Sequence, residues 1–86
     1  MIASIVRVPV EAPAADPGLI EQVAGSPGLL HMYLLIPGEG VGDRLAVLLW
    51  ATEQDLDAYI ESDLGQQVLR DNPLATRTVY TVTQVK

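Results

Sequence analysis

No cysteine and no phenylalanine occur in this chain, and histidine, tryptophan and lysine occur once each. Without cysteine there are no disulfides, no thiolate zinc sites and no thiol nucleophile. The single histidine, His31, cannot build a multi-histidine metal centre, and no carboxylates stand at metal-ligand spacing, so no metal is expected. Positive charge is scarce as well. Arg7, Arg44, Arg70, Arg77 and Lys86 stand against 11 acidic residues, for a net charge of −6. The cations are scattered, which excludes a phosphate-tracking face for nucleic acid and disfavours anionic membranes. The longest apolar run, Leu29 to Ile36 with His31 inside it, falls far short of the ~20 residues of a membrane span. No basic segment precedes an apolar one at the N-terminus, so no signal peptide is read and a cytoplasmic location is expected.

What the chain has in excess is aliphatic surface. Of its 86 residues, 49% are hydrophobic, yet only Trp50, Tyr33, Tyr59 and Tyr80 are aromatic. The mean hydropathy is +0.26. The length fits one domain, residues 1–86, and a chain this small buries only roughly 60–65% of its extended surface. The surplus must be exposed or covered by another copy, so self-association is expected.

Ile2 to Val10, rich in Val and Ile, reads as a first strand closed by Pro9 and Pro13. Glu11 to Ala15 is a linker. Asp16 is a helix N-cap with Pro17 at the first helical position, and Leu19, Ile20 and Val23 form an apolar stripe up to Gly25. Leu29 to Ile36 is the second strand, on which period-two alternation puts His31 and Tyr33 on one face. Pro37 to Asp43 is a glycine-rich hairpin loop. Its glycines precede a strand rather than a helix, and Glu39 and Asp43 would repel phosphate, so it is not a phosphate cradle. The third strand runs from Arg44 or Leu45 to Ala51. Thr52 then caps a second helix with Leu56, Tyr59, Ile60 and Leu64 facing inward. That helix is expected to kink or restart within Ser62-Asp63-Leu64-Gly65 and to end near Arg70, stopped by Asp71-Asn72-Pro73. Thr76 to Val85 is the fourth strand.

The order β-α-β-β-α-β predicts an α+β, ferredoxin-like fold: a four-stranded antiparallel sheet with the helices on one face. Strands two and three are apolar on both faces, whereas a sheet covered on one side should alternate. The open sheet face is therefore expected to meet a second copy, giving a homodimer.

The segment Leu49-Trp50-Ala51-Thr52-Glu53-Gln54-Asp55-Leu56-Asp57-Ala58-Tyr59, with Pro27-Gly28 before strand two and Ser62-Asp63 after, resembles the dimeric α/β-barrel superfamily. Within it, the segment is similar to the antibiotic-biosynthesis-monooxygenase type. The resemblance implies a dimeric α/β barrel and a small monooxygenase that needs no cofactor and acts on a planar aromatic, polyketide-like substrate. Behind that leading reading stand a non-catalytic ligand-binding or structural homodimer and then an isomerase or cyclase of the same fold. The quinone-forming members carry an Asn four residues before the tryptophan and a Tyr six after it; Ala46 and Leu56 stand there in this chain. Haem-degrading members carry an aromatic residue where Tyr59 lies and an axial His further along that helix. No His follows here, which disfavours haem chemistry.

His31, the only side chain that titrates near neutrality when unperturbed, is the candidate general base. Trp50 is the candidate pocket wall, although large apolar rings more often fill cores. Tyr33 could hold the imidazole or a substrate, and Tyr59 lies where the family places an aromatic ring. On adjacent first and fourth strands, Arg7 and Arg77 are expected to stand side by side and suit an anionic ligand, unless acidic residues pair with them.

Overall fold

The computed structural model of the chain describes residues 1–13 and 16–86. Ala14 and Ala15, the end of the expected Glu11–Ala15 linker, lie outside the described residues. The elements are β1 (Ile2–Val8), α1 (Pro17–Ala24), β2 (Leu29–Leu35), β3 (Arg44–Trp50), α2 (Glu53–Glu61), α3 (Asp63–Asp71) and β4 (Thr76–Thr81). The strands form one antiparallel sheet in the order β2-β3-β1-β4. Val23 of α1 and Leu56 and Tyr59 of α2 close onto Leu48 and Trp50 of β3 as a single core cluster. This is the expected ferredoxin-like α+β arrangement, with one sheet face packed and the other bare.

Local chemistry explains the element ends. The Asp16 carboxylate accepts the Gly18 N–H at 2.9 Å, with Pro17 in the first turn of α1. Gly25 ends that helix at φ −86°, on the right-handed side, rather than in the left-handed cap that glycine often supplies. Thr52 Oγ1 accepts the Asp55 N–H at 3.1 Å and donates to the Asp55 carboxylate at 2.8 Å, which anchors the start of α2. Gly28, at φ +80°, sits so close against the Asp55 side chain that a Cβ there would collide with it. Its carbonyl accepts the Ala51 N–H at 2.8 Å. The Pro27-Gly28 turn is thus tied to the strand-to-helix junction after Trp50.

The second helical region breaks in two at the expected place. Ser62 leaves helical geometry at ψ 160°. Its Oγ donates to the Tyr59 carbonyl at 2.6 Å and accepts the Gly65 N–H at 3.0 Å. Gly65 packs directly on the Tyr59 carbonyl, where any side chain would clash. With the Ser62 N–H also donating to the Tyr59 carbonyl at 3.1 Å, the break makes three contacts on the backbone of Tyr59. The fourth strand ends at Thr81, short of the expected Val85, because its partner β1 begins at Ile2. Beyond it, the Val82 N–H reaches Met1 O at 3.0 Å.

One irregularity decides which side chains face where. Leu29 pairs with Trp50, yet His31 pairs with Leu49, so β2 carries one residue more than β3 across this step. A one-residue bulge inverts the facing of everything after it. Leu29 and Met32, three residues apart, both pack on the core cluster. Leu30 is half exposed. His31, Tyr33 and Leu35 all turn to the bare face. No helix of the described residues is long and apolar enough to cross a membrane.

Candidate functional site

The inner face of the sheet, beneath the helices, carries Ile2, Ser4, Val6 and Val8 of β1 in register with Trp50, Leu48, Ala46 and Arg44 of β3. Arg77, opposite Val6, belongs to this face. The outer face carries Ala3, Ile5 and Arg7 opposite Leu49, Val47 and Leu45, with Tyr33 and Tyr80 on the flanking strands. This register separates the expected site residues into two groups. Trp50, Tyr59 and Arg77 lie within; His31, Tyr33 and Arg7 lie without.

Trp50 is fully buried, 0% exposed, and its indole N–H donates to Ser4 Oγ at 3.0 Å. That bond satisfies the one polar atom of a ring otherwise held by apolar contacts. Its ring leans on Tyr59, with centroids 5.1 Å apart and planes at 36°. Tyr59 is the next layer outward, and beyond it opens a cavity of about 340 Å³. The cavity runs along the inner face away from Trp50, toward Val8 and Arg44. Val6, Leu34 and Ala46 form its sheet wall, and Leu19, Val23 and Val68 its helix wall. Its volume falls in the lower range of small-molecule sites, and its apolar walls with a few polar groups fit that class.

Ser4, Tyr59, Asn72, Thr76, Arg44 and Arg77 supply the polar groups of the lining. No Asp, Glu or His belongs to it among the described residues. The Asn72 amide donates to the Val68 carbonyl at 2.8 Å, closing α3. Arg44 Nη2 donates to Ala12 O at 2.6 Å and to Pro13 O at 3.3 Å, tying β3 to the linker that leaves β1. Burial raises the pKa of the Tyr59 phenol, and the positive charge of Arg77 partly opposes that rise. The phenol is thus neutral at physiological pH and lies within the field of a guanidinium. Among the described residues no buried side-chain polar atom lacks a partner. The Tyr59 hydroxyl makes no protein hydrogen bond there, so it is open to the cavity.

On the outer face, His31 and Tyr33 stack with ring centroids 6.1 Å apart and planes at 25°. Both side chains are exposed. Arg7 approaches Asp43 at 3.9 Å with its side chain 64% exposed, a surface ion pair of little energetic weight. The expected juxtaposition of Arg7 and Arg77 is corrected by the register. Arg7 pairs with Thr76 and Arg77 with Val6, so on adjacent strands the two guanidinium groups leave opposite faces of the sheet. His31 and Trp50 likewise share no cavity, because the β2 bulge sends His31 outward.

Sequence reasoning did not single out Ser4, Arg44 or Asn72. Arg44 was within reach of it, since Trp50, Leu48, Ala46 and Arg44 alternate on one strand and must share a face. Ser4 and Asn72 carry no comparable signal. Among the described residues, no three acidic or histidine side chains converge as a metal-binding set.

No protein-family model matches the chain, and no curated protein matches it in sequence. Solved structures do. SnoaB, a cofactor-independent oxygenase from Streptomyces nogalater, superposes with a TM-score of 0.75 at 13% identity, over 98% of this chain and 94% of that one. The ActVA-Orf6 monooxygenase of Streptomyces coelicolor, in complex with nanaomycin D, gives a TM-score of 0.67 at 20% identity over 99% and 89%. The haem-degrading MhuD of Mycobacterium tuberculosis, with two haems in its active site, gives 0.59 at 21% identity over 95% and 96%. The chain has the fold of the antibiotic-biosynthesis-monooxygenase structures over nearly its whole length.

Proposed function

We propose that this protein is a small cofactor-independent monooxygenase that takes a planar, mostly apolar phenol into the inner cavity. The observation that carries the reading is the cavity itself: apolar walls, a Tyr59 hydroxyl without a partner among the described residues, and a guanidinium at Tyr59's side. In the reaction, a substrate of the anthrone kind loses a proton to solvent and becomes an enolate. The Arg77 charge and the Tyr59 O–H stabilise the developing oxyanion. The carbanionic carbon transfers electrons to oxygen. One oxygen atom becomes the new quinone carbonyl, and the other leaves with two hydrogens as water. Trp50 backs Tyr59 and fixes its ring.

The outer face has a different task in this reading. Tyr33, Leu35 and Tyr80, each about half exposed, surround half-buried Ile5, Leu45, Val47 and Leu49. A contiguous apolar face of this kind is suited to burial against a second copy of itself, and that copy covers it in this reading. His31, Tyr33 and Arg7 then belong to the subunit interface.

A second reading is binding of the same ligand without turnover. It is favoured by the absence of any Asp, Glu or His from the lining among the described residues, which leaves no protein base in contact with substrate. That absence counts equally against an isomerase or cyclase, which needs one. Haem degradation is disfavoured because α3 carries no histidine and His31 faces away from the cavity. Oxygen uptake with an anthrone-type phenol separates the two main readings. Turnover should form the quinone one-for-one with oxygen, fall in Tyr59→Phe and Arg77→Gln, and persist in His31→Ala. Saturable binding with no oxygen uptake establishes the second reading.

A further inference from the structure

Three of the five cations lie on sheet strands, and their surroundings differ. Arg7, outside, faces the Asp43 carboxylate. Arg44 and Arg77, inside, meet no acidic side chain within ion-pair distance among the described residues, and both line the cavity. The chain has 11 acidic residues and a net charge of −6. Its main cavity is therefore positive inside an acidic protein. A guanidinium beside apolar walls without a counter-anion is a costly arrangement, and it is relieved when a ligand supplies the charge.

The two cations are set apart. Arg77 is opposite Val6 on one side of β1, beside Tyr59; Arg44 is opposite Val8 on the other side, at the linker end. Among the described residues, both hydrogen bonds of Arg44 use Nη2 and go to neutral carbonyls, no carboxylate pairs with it, and Nε and Nη1 have no partner. One oxyanion at the reacting ring can serve Arg77. Arg44, across β1 on the opposite flanking strand, is left without one.

We infer that the ligand carries a second anionic group, a carboxylate on its apolar body, held by Arg44 at the far end of the cavity from the Tyr59–Arg77 pair. This rests on the inner cavity being the ligand site. The substrate is then an aromatic acid entered ring-first, with its carboxylate toward the linker. Arg44 selects and orients it without touching the reacting carbon.

The test is calorimetric titration of the intact protein with naphthoate and with naphthamide, which match in shape and differ in charge. The acid should bind about ten- to a hundredfold more tightly than the amide. Arg44→Gln should erase that ratio while keeping amide affinity, and Arg44→Lys should retain most of it. Since Arg44 also ties the linker, the wild-type ratio decides even where Arg44→Gln fails to fold. Equal binding of acid and amide overturns the carboxylate inference and leaves the cavity reading standing. Failure of both probes to bind overturns the two together. Selectivity unchanged in a folded Arg44→Gln removes Arg44 as its source.

Discussion

The two faces of the sheet draw on the same strands and the same aliphatic alphabet, yet they are covered differently. The inner face is finished. Its one indole N–H has an acceptor in Ser4, and its largest ring is fully covered. A shaped cavity opens on it beside Tyr59. The outer face is unfinished, with aromatic rings half exposed, the stacked His31–Tyr33 pair among them. Apolar content does not distinguish the two. Coverage by helices does, and coverage was settled by chain order and by one bulge in β2.

The contrast can be broken from the inside with the largest effect. Trp50→Ala removes the most buried ring and should cost about 3–5 kcal/mol, measured by denaturant unfolding. That is a large share of the stability of a domain this size. Loss of ligand binding in this variant reports unfolding rather than a contact. Ser4→Ala leaves the indole N–H buried without an acceptor and should cost about 1–3 kcal/mol with the fold retained. A cost near zero for Ser4→Ala would mean that the bond contributes nothing net.

From the outside, Val47→Asp places a charge at the centre of the bare face, between Ile5 and Tyr33. It should weaken self-association by at least about a hundredfold in sedimentation, because an unpaired charge would be trapped between two sheets. An unchanged oligomer, or a wild type that sediments as a monomer at micromolar concentration, would remove the outer face as an interface.

The smallest effect is alkaline. Tyr59 has a raised pKa in the folded chain, from an ordinary value of 10.0, because burial disfavours its phenolate. Its contribution to stability is full below the unfolded-state pKa and is lost as pH rises through the folded one. Unfolding free energy should therefore decline above about pH 10. Tyr59→Phe should make that decline shallower.

Much of this was legible in the sequence. The element order, the Asp16 and Thr52 caps and the break at Ser62 follow from local chemistry. They hold because capping needs only neighbours a few residues away. The Trp50-to-helix junction pointed to the fold through its resemblance to a known family, and it places Trp50 at the seam between layers. The site was less legible. Alternation alone put Leu29 on the same face as His31. The bulge set them on opposite faces, and nothing short of the β2–β3 register reveals it. Arg7 and Arg77 sit on adjacent strands as expected, but a shift of one residue in pairing parts their side chains across the sheet.

Single copies of tryptophan and histidine make the central claim directly measurable. The Trp50 indole proton, bonded to Ser4 behind Tyr59, reports the inner side; the His31 ring protons report the outer. We expect NMR titration with naphthoate to shift the Trp50 indole signal progressively and saturably, while the His31 signals stay in place. Shifts at His31 with a silent Trp50 would put the ligand on the outer face and contradict the assignment.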